Sequence, residues 1–220
     1  MSSADLQAHA RIRDAAIRLF GRQGVKATTI RQIAEEVGVS PALVIHHFGS
    51  KDGLRRACDE WMMDRLTASK TAALSGQEAF QWTMRAQAEF QPFYPYIAAS
   101  ISEGGDNAER LFDAMCQLTR EMFAVGVPAG TLRDPADLEA MVTVLVAFSL
   151  GATTLERQVA RRLGGATMFD SDVLQRYSLA TTDLFTHGLF ADSRMLDQLR
   201  AAFGVDVPGD GITNPDPPAA

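Results

Sequence analysis

Apolar positions recur with a helical period along almost the whole chain, and period-two alternation never exceeds about five residues, the usual strand length. Ile12, Ala15, Ala16, Leu19 and Phe20 follow the i, i+3, i+4, i+7, i+8 spacing of a helix with one buried face, and Gly24 stops it. Ile30, Ile33, Ala34 and Val37 mark a second helix, from about Thr29 to Gly38. Ser40 then supplies an N-cap and Pro41 suits the first helical position, so a third helix starts almost at once and ends at Phe48-Gly49. Ser50 caps a fourth helix, from Lys51 to about Ser69.

Beyond Gly76 the expected helices lengthen. They cover about 77–91, then 93–102 after Pro92 and at Pro95, then 107–125 up to Gly126 and Pro128. Asp134-Pro135 opens a long helix, about 136–163, that ends at Gly164-Gly165; two more follow at about 171–188 and 192–203. From Gly204 onward, four prolines, three glycines and three aspartates read as a disordered acidic tail. The fold expected is all-α, with no internal repeat.

Composition narrows the class. With 220 residues, 46% apolar and 22% charged, the chain can bury a core without disulfides. Its two cysteines, Cys58 and Cys116, form no C-x-x-C pair, which argues against a disulfide scaffold or a structural zinc site. Met1 to Ile12 has no apolar run of signal type, so a cytoplasmic location is expected. Ala140 to Leu155 is uncharged but too short, and too rich in Thr, Ser and Gly, for a membrane span.

The net charge of −6 hides an asymmetry. Residues 1–60 hold nine Lys and Arg against seven Asp and Glu, whereas residues 61–220 hold twelve against twenty. The basic series Arg11, Arg13, Arg18, Arg22, Lys26 and Arg31 meets only Asp5 and Asp14 on the way. An N-terminal module that touches a polyanion, joined to an acidic body that does not, fits this distribution. A solvated helix face fits the charges alone equally well.

Two helices of about eight residues joined by Gly38-Val39-Ser40 form a helix-turn-helix. The glycine permits the turn, Val39 plugs the space between the helices, and Ser40 caps a helix whose N-terminal side chains can enter the major groove. Thr29-x-x-x-Ile33-Ala34, Gly38-Val39-Ser40 and His47-Phe48-x-x-Lys51-x-x-Leu54 together resemble the DNA-binding domain of TetR/AcrR-type regulators, over about residues 11–60. The resemblance implies a three-helix DNA-binding domain at 1–50, a connecting helix at 51–70, an all-helical ligand-binding and dimerisation domain at 71–203 and a tail at 204–220.

By the same resemblance, Thr29 would cap the second helix and bond a phosphate, and Lys51 would bring a charge to another phosphate. His47 would lie near the DNA backbone, with Phe48 closing the small core. Pro41, Ala42, Leu43, Ile45 and His46 would face the groove, flanked by Arg31 and Ser40. The family commonly places a tyrosine two positions before its histidine; this chain has Ile45, which donates no hydrogen bond. The reading face also lacks Arg, Lys, Asn and Gln, so specificity would lean on apolar contacts with thymine methyls and on DNA shape. His46 and His47 point about 100° apart on a helix with no third ligand in view, which speaks against a metal site. No nucleophile–base–orienter set and no cofactor motif is recognisable, so no catalytic residue is assigned.

The long helix is apolar on almost every side, and a helix of that kind is buried on more than one face. A second subunit is the natural cover, with Val146, Leu150 and Gly151 on this helix and Tyr177, Leu184 and Phe185 on the next as the expected homodimer interface. A core within one chain is the alternative. An aromatic and methionine-rich set suggests a pocket for an apolar or aromatic small-molecule effector: Trp82, Phe90, Phe93, Tyr94, Phe112, Met115, Cys116, Met122 and Phe148. Gln87, Gln91 and Thr119 are the polar candidates to orient it; packing into an ordinary core is the other reading. The expected function is a dimeric, ligand-responsive repressor on a pseudo-palindromic double-stranded operator, the effector shifting the helix from Lys51 to Ser69 like a lever. The alternatives are a dimeric DNA-binding regulator without a small-molecule inducer, or a helical enzyme or metal sensor.

Overall fold

The computed structural model describes residues 3–73 and 93–205, and all regular structure among them is helical. Helix α1 spans Ser3–Gln23, and its expected stripe is buried throughout: Ile12, Ala15, Ala16, Leu19 and Phe20. Helices α2 (Ile30–Val37) and α3 (Pro41–Phe48) pack on it through Ile33, Ala34, Val37 and Val44. Helix α4 (Lys51–Ala73) leaves this cluster with Leu54, Cys58 and Met62 facing inward at four-residue intervals.

Helix α5 (Tyr94–Glu103) crosses α1 closely, and Gly21 makes that possible. A methyl group there would sit 2.9 Å from the Tyr96 nitrogen and 3.1 Å from Pro95 Cβ. Helices α6 (Asp106–Gly126) and α7 (Leu138–Thr154) complete this assembly, both packing on α5 and on each other. One buried cluster therefore runs from Ile12 through Tyr96 and Leu111 to Leu150. The expected boundary at residue 50 is no break in packing. Helix α1 serves the core of α2 and α3 and also meets α5, while α4 also meets α6.

The chain divides into two compact units, Met1–Glu156 and Arg157–Ala220. The second contains most of α8 (Glu156–Leu163) with α9 (Ser171–His187) and α10 (Arg194–Phe203). Ala160 and Val173 are its buried apolar residues, and Asp170 Oδ2 ties the turn between α8 and α9 by accepting from the Ala166 and Thr167 amides.

The single long helix expected over 136–163 is in fact two. Asp137, not Asp134, caps α7, its side chain accepting from the Ala140 amide at 3.0 Å. The helix stops at Thr154, and Leu155 (φ −96°, ψ 20°) separates it from α8. Thr143, Ser149 and Thr153 each donate a hydroxyl to the carbonyl four residues back, a bond that competes with the helix ladder, and Thr153-Thr154 adds two β-branched residues of low helix propensity. Among the described residues, no single helix is long and apolar enough to cross a membrane.

Candidate DNA-binding interface

The helix-turn-helix is built from local bonds that its sequence prescribes. Thr29 caps α2 in a reciprocal box: its Oγ1 accepts from the Gln32 amide at 3.2 Å, and Gln32 Oε1 accepts from the Thr29 amide at 2.8 Å. Helix α2 ends on Gly38 in the left-handed region (φ 70°, ψ 38°), and the Val39 amide reaches back to the Ala34 carbonyl at 2.9 Å. Val39 packs half-buried against the core, as a plug between the helices should. Ser40 Oγ accepts from the Leu43 amide at 3.2 Å, and Pro41 opens α3.

Helix α3 is anchored by Val44, which is fully buried, and by Phe48, 4.3 Å from the His9 ring. Its outer face presents Pro41, Ala42, Ile45 and His46, with Leu43 half-buried at the edge. Two residues expected at the DNA backbone, His47 and Lys51, make contacts within the protein. His47 turns inward, its side chain 5% exposed, edge-on to His9, with Nε2 buried and without a hydrogen-bond partner. Asp5 Oδ1, at 3.9 Å, is too far to supply one. Burial, then His47 and Arg13, holds the His9 imidazole below its ordinary pKa.

Lys51 is likewise occupied. Its ammonium donates to the carbonyls of Val25 (3.0 Å), Thr28 (3.0 Å) and Lys26 (3.4 Å), closing the loop between α1 and α2. The same loop is held from the other side by Glu103 at the end of α5, whose Oε1 accepts from the Lys26 amide at 3.2 Å. The buried Thr28 donates its hydroxyl to the Gly24 carbonyl at 2.7 Å. The position of Thr29, and with it the start of α2, is therefore set by α4 and α5 as well as by the helix-turn-helix.

The early basic series is mostly exposed, but several of its members are paired within the protein. Arg11 donates to the Val37 carbonyl at the end of α2 (2.6 Å), Arg13 stacks 3.8 Å over the Trp61 ring, and Arg18 and Arg22 flank Glu36 at 3.7 and 3.8 Å. Arg31 stays on the surface, paired with Glu35 at 2.9 Å, one turn away on α2. Arg11 and Arg13 thus join helices, whereas Arg18, Arg22 and Arg31 keep their charge at the surface.

Behind the loop lies a buried polar junction that sequence reasoning missed. The Tyr96 hydroxyl donates to Asp59 Oδ1 at 2.5 Å, and Arg55, 6% exposed, lies 3.7 Å from Glu103 Oε2. Burial pushes the Asp59 carboxyl above its ordinary range, opposed by the Tyr96 hydrogen bond and by Arg55. Burial and the Asp59 charge push the Tyr96 phenol up in turn. These partners lie 37 to 48 positions apart, so no local pattern joins them.

Comparison with known proteins agrees with this architecture. Residues 12–58 match the model of bacterial regulatory proteins of the tetR family, and residues 88–191 match the tetracyclin repressor-like C-terminal domain. The HTH-type transcriptional regulatory protein RaaS of Mycobacterium tuberculosis is 38% identical over 204 residues, spanning 91% of this chain and 95% of that protein. The chain belongs to the TetR family of transcriptional regulators. The HTH-type regulator BetI of Rhizobium meliloti is 31% identical over 56% of this chain and 66% of its own length. Among solved structures, the TetR-family regulator PfmR of Thermus thermophilus superposes with a TM-score of 0.56 at 25% identity, over 82% of this chain and 99% of that one. The protein is a DNA-binding regulator, and its relatives are regulators rather than enzymes.

In this TetR-family body, the expected effector and dimer residues sort differently from the sequence reading. Trp82, Gln87, Phe90 and Gln91 lie outside the described residues. Phe93 packs edge-on to Trp61 at 5.3 Å, Cys116 joins the buried cluster, and Phe112 and Met115 pack half-buried against it; Tyr94 and Met122 are also half-buried. The buried Thr119 donates its hydroxyl to the Met115 carbonyl of its own helix at 2.9 Å. Val146 and Leu150, expected at the dimer interface, are buried in their own protomer beside Val142. The opposite face of α7 is the open one: Val144 is 63% and Phe148 41% exposed, with Met141 and Gly151 on the same stripe. Phe148, expected in the pocket, thus lies on this open face with Gly151 and away from the buried side. On α9, Tyr177 and Leu184 are half-buried and Phe185 is exposed.

Among the described residues no group of three or more His, Cys, Asp and Glu side chains is placed to hold a metal ion.

Proposed function

We propose that this TetR-family regulator is a cytoplasmic homodimer that represses transcription from a pseudo-palindromic operator and is released by an apolar or aromatic small molecule. The observation that carries the reading is the shared packing of the DNA-binding head and the body. Glu103 and Tyr96 on α5 hold the α1–α2 loop and α4 directly, which gives a displacement of α5 a physical route to the start of α2. An effector that favours a displaced α5 or α4 lowers operator affinity by its preference for that state. The exposed apolar stripe of α7, with Met141, Val144 and Phe148, supports the dimer, because a second copy removes it from water and pairs two recognition helices about 34–36 Å apart.

Thr29 and Arg31 remain the phosphate and flanking contacts in this reading, with Pro41, Ala42, Leu43, Ile45 and His46 in the groove. A second reading, in which the body dimerises without taking an effector, draws support from the burial of Cys116 in the core, with Phe112 and Met115 packed against it. Purified protein is tested by selecting fragments from its source genome and following affinity as salt is raised. Enrichment of one palindrome with a steep salt dependence supports the operator reading; sequence-blind binding removes it. Release of the selected operator by members of an apolar and aromatic compound panel separates the first reading from the second.

A further inference from the structure

The outer face of α3 presents one large apolar side chain, Ile45, which is 43% exposed. It stands three residues after Ala42 and four after Pro41, so it shares their face, while Val44 and Phe48 hold the other side in the core. Resting on the assignment of α3 as the recognition helix, we infer that Ile45 is a specificity residue that recognises a thymine through its 5-methyl group in the major groove.

The chemistry of the face leads there. His46 is its only side chain able to hydrogen-bond a base edge, and Pro41 and Ala42 are small and apolar. An isoleucine laid against a phosphate strips water from an anion and returns no hydrogen bond. On the base edges of the major groove the apolar group on offer is the thymine methyl, and it distinguishes T·A from the other three pairs. Two features make Ile45 a good reader of it. Helix α3 is capped by Ser40 and pinned by Val44, so the backbone under Ile45 is set before DNA arrives. A β-branched side chain in a helix holds one dominant χ1 rotamer, so little freedom is lost when it meets the methyl group.

The test starts from duplexes selected out of a random library by the full-length protein. Each thymine of the selected operator is then replaced singly by deoxyuridine, which removes the methyl group and keeps the base pair. Affinities are measured by fluorescence anisotropy at about 0.15 M salt for the wild type, Ile45→Ala and Ile45→Val. At one thymine per half-site the wild type loses about fourfold, the factor for one methyl-sized apolar contact. In Ile45→Ala that thymine and deoxyuridine bind equally, while thymines met by other residues keep their wild-type factors; Ile45→Val retains part of the effect. If no thymine loses its methyl dependence in Ile45→Ala, or if Ile45→Ala weakens both operators in the same ratio, the inference is overturned and the recognition helix stands. A wild type that selects no sequence at all overturns the operator reading together with the inference.

Discussion

Replacing Lys51 by Met separates two roles that the sequence alone leaves together. Methionine keeps the length and the helix propensity of the side chain and removes only the ammonium. In the structure that ammonium meets three loop carbonyls, two at 3.0 Å and one at 3.4 Å. A hydrogen bond to a charged group contributes about 1.5–3 kcal/mol. The three share one donor group and the Lys26 carbonyl is near solvent, so the sum is well below three independent bonds; we expect a loss of about 2 kcal/mol. For a chain of this size that lowers Tm by about 4–8 °C. Operator affinity also falls, because the loop that sets Thr29 loosens, but the dependence of log Kd on log salt keeps its slope. If Lys51 instead met a phosphate, its loss would flatten that slope by about 0.9 per contact and leave the fold nearly as stable as before. A flattened slope with an unchanged melting curve refutes the loop-clamp account.

Four further substitutions test the packing. Gly21→Ala pushes a methyl group against the Tyr96 backbone nitrogen and Pro95, atoms that cannot move aside, so thermal melting should show a loss of about 1–3 kcal/mol despite the gain in helix propensity. Tyr96→Phe removes the donor from half-buried Asp59 and should cost about 1–3 kcal/mol at neutral pH. Because burial already raises the folded-state pKa of Asp59, its charged form is the unfavourable one, and stability from this group is lost as pH rises through that pKa. The Tyr96→Phe deficit should therefore shrink as pH falls toward the ordinary carboxylate range; urea titrations at several pH values read this, and a deficit that grows in acid contradicts it. Leu150→Ala should cost about 2–5 kcal/mol by opening the protomer core, whereas Val144→Asp on the exposed stripe should leave the protomer fold intact and shift sedimentation toward monomer.

What the chain determines by itself is mostly local. The Ile12 to Phe20 stripe, the Thr29 cap, the Gly38 turn and the Ser40-Pro41 start are each set by residues within a turn or two, where side-chain size and backbone preference act directly. Hence the helix-turn-helix and its family resemblance were readable without coordinates. The body was less so. Helix α7 is apolar on nearly all sides, so periodicity could not say that Val142, Val146 and Leu150 face α5 and α6 while Val144 and Phe148 face outward. Nor could one sequence show that hydroxyl back-bonding at Ser149 and Thr153 would help divide the long helix at Leu155.

The roles of Lys51 and His47 depended on tertiary structure for a different reason. A lysine at a helix start can meet a phosphate or a carbonyl with equal chemical ease, and only the fold places the carbonyls of Val25 and Thr28 within 3.0 Å of its nitrogen. His47 turns inward and meets His9 of α1 edge-on, a contact between residues far apart in the chain. Side chains whose partners lie within a few residues declare their roles in sequence; long polar side chains with distant partners, such as Arg55, Asp59, Tyr96 and Glu103, acquire theirs when α1, α4 and α5 meet.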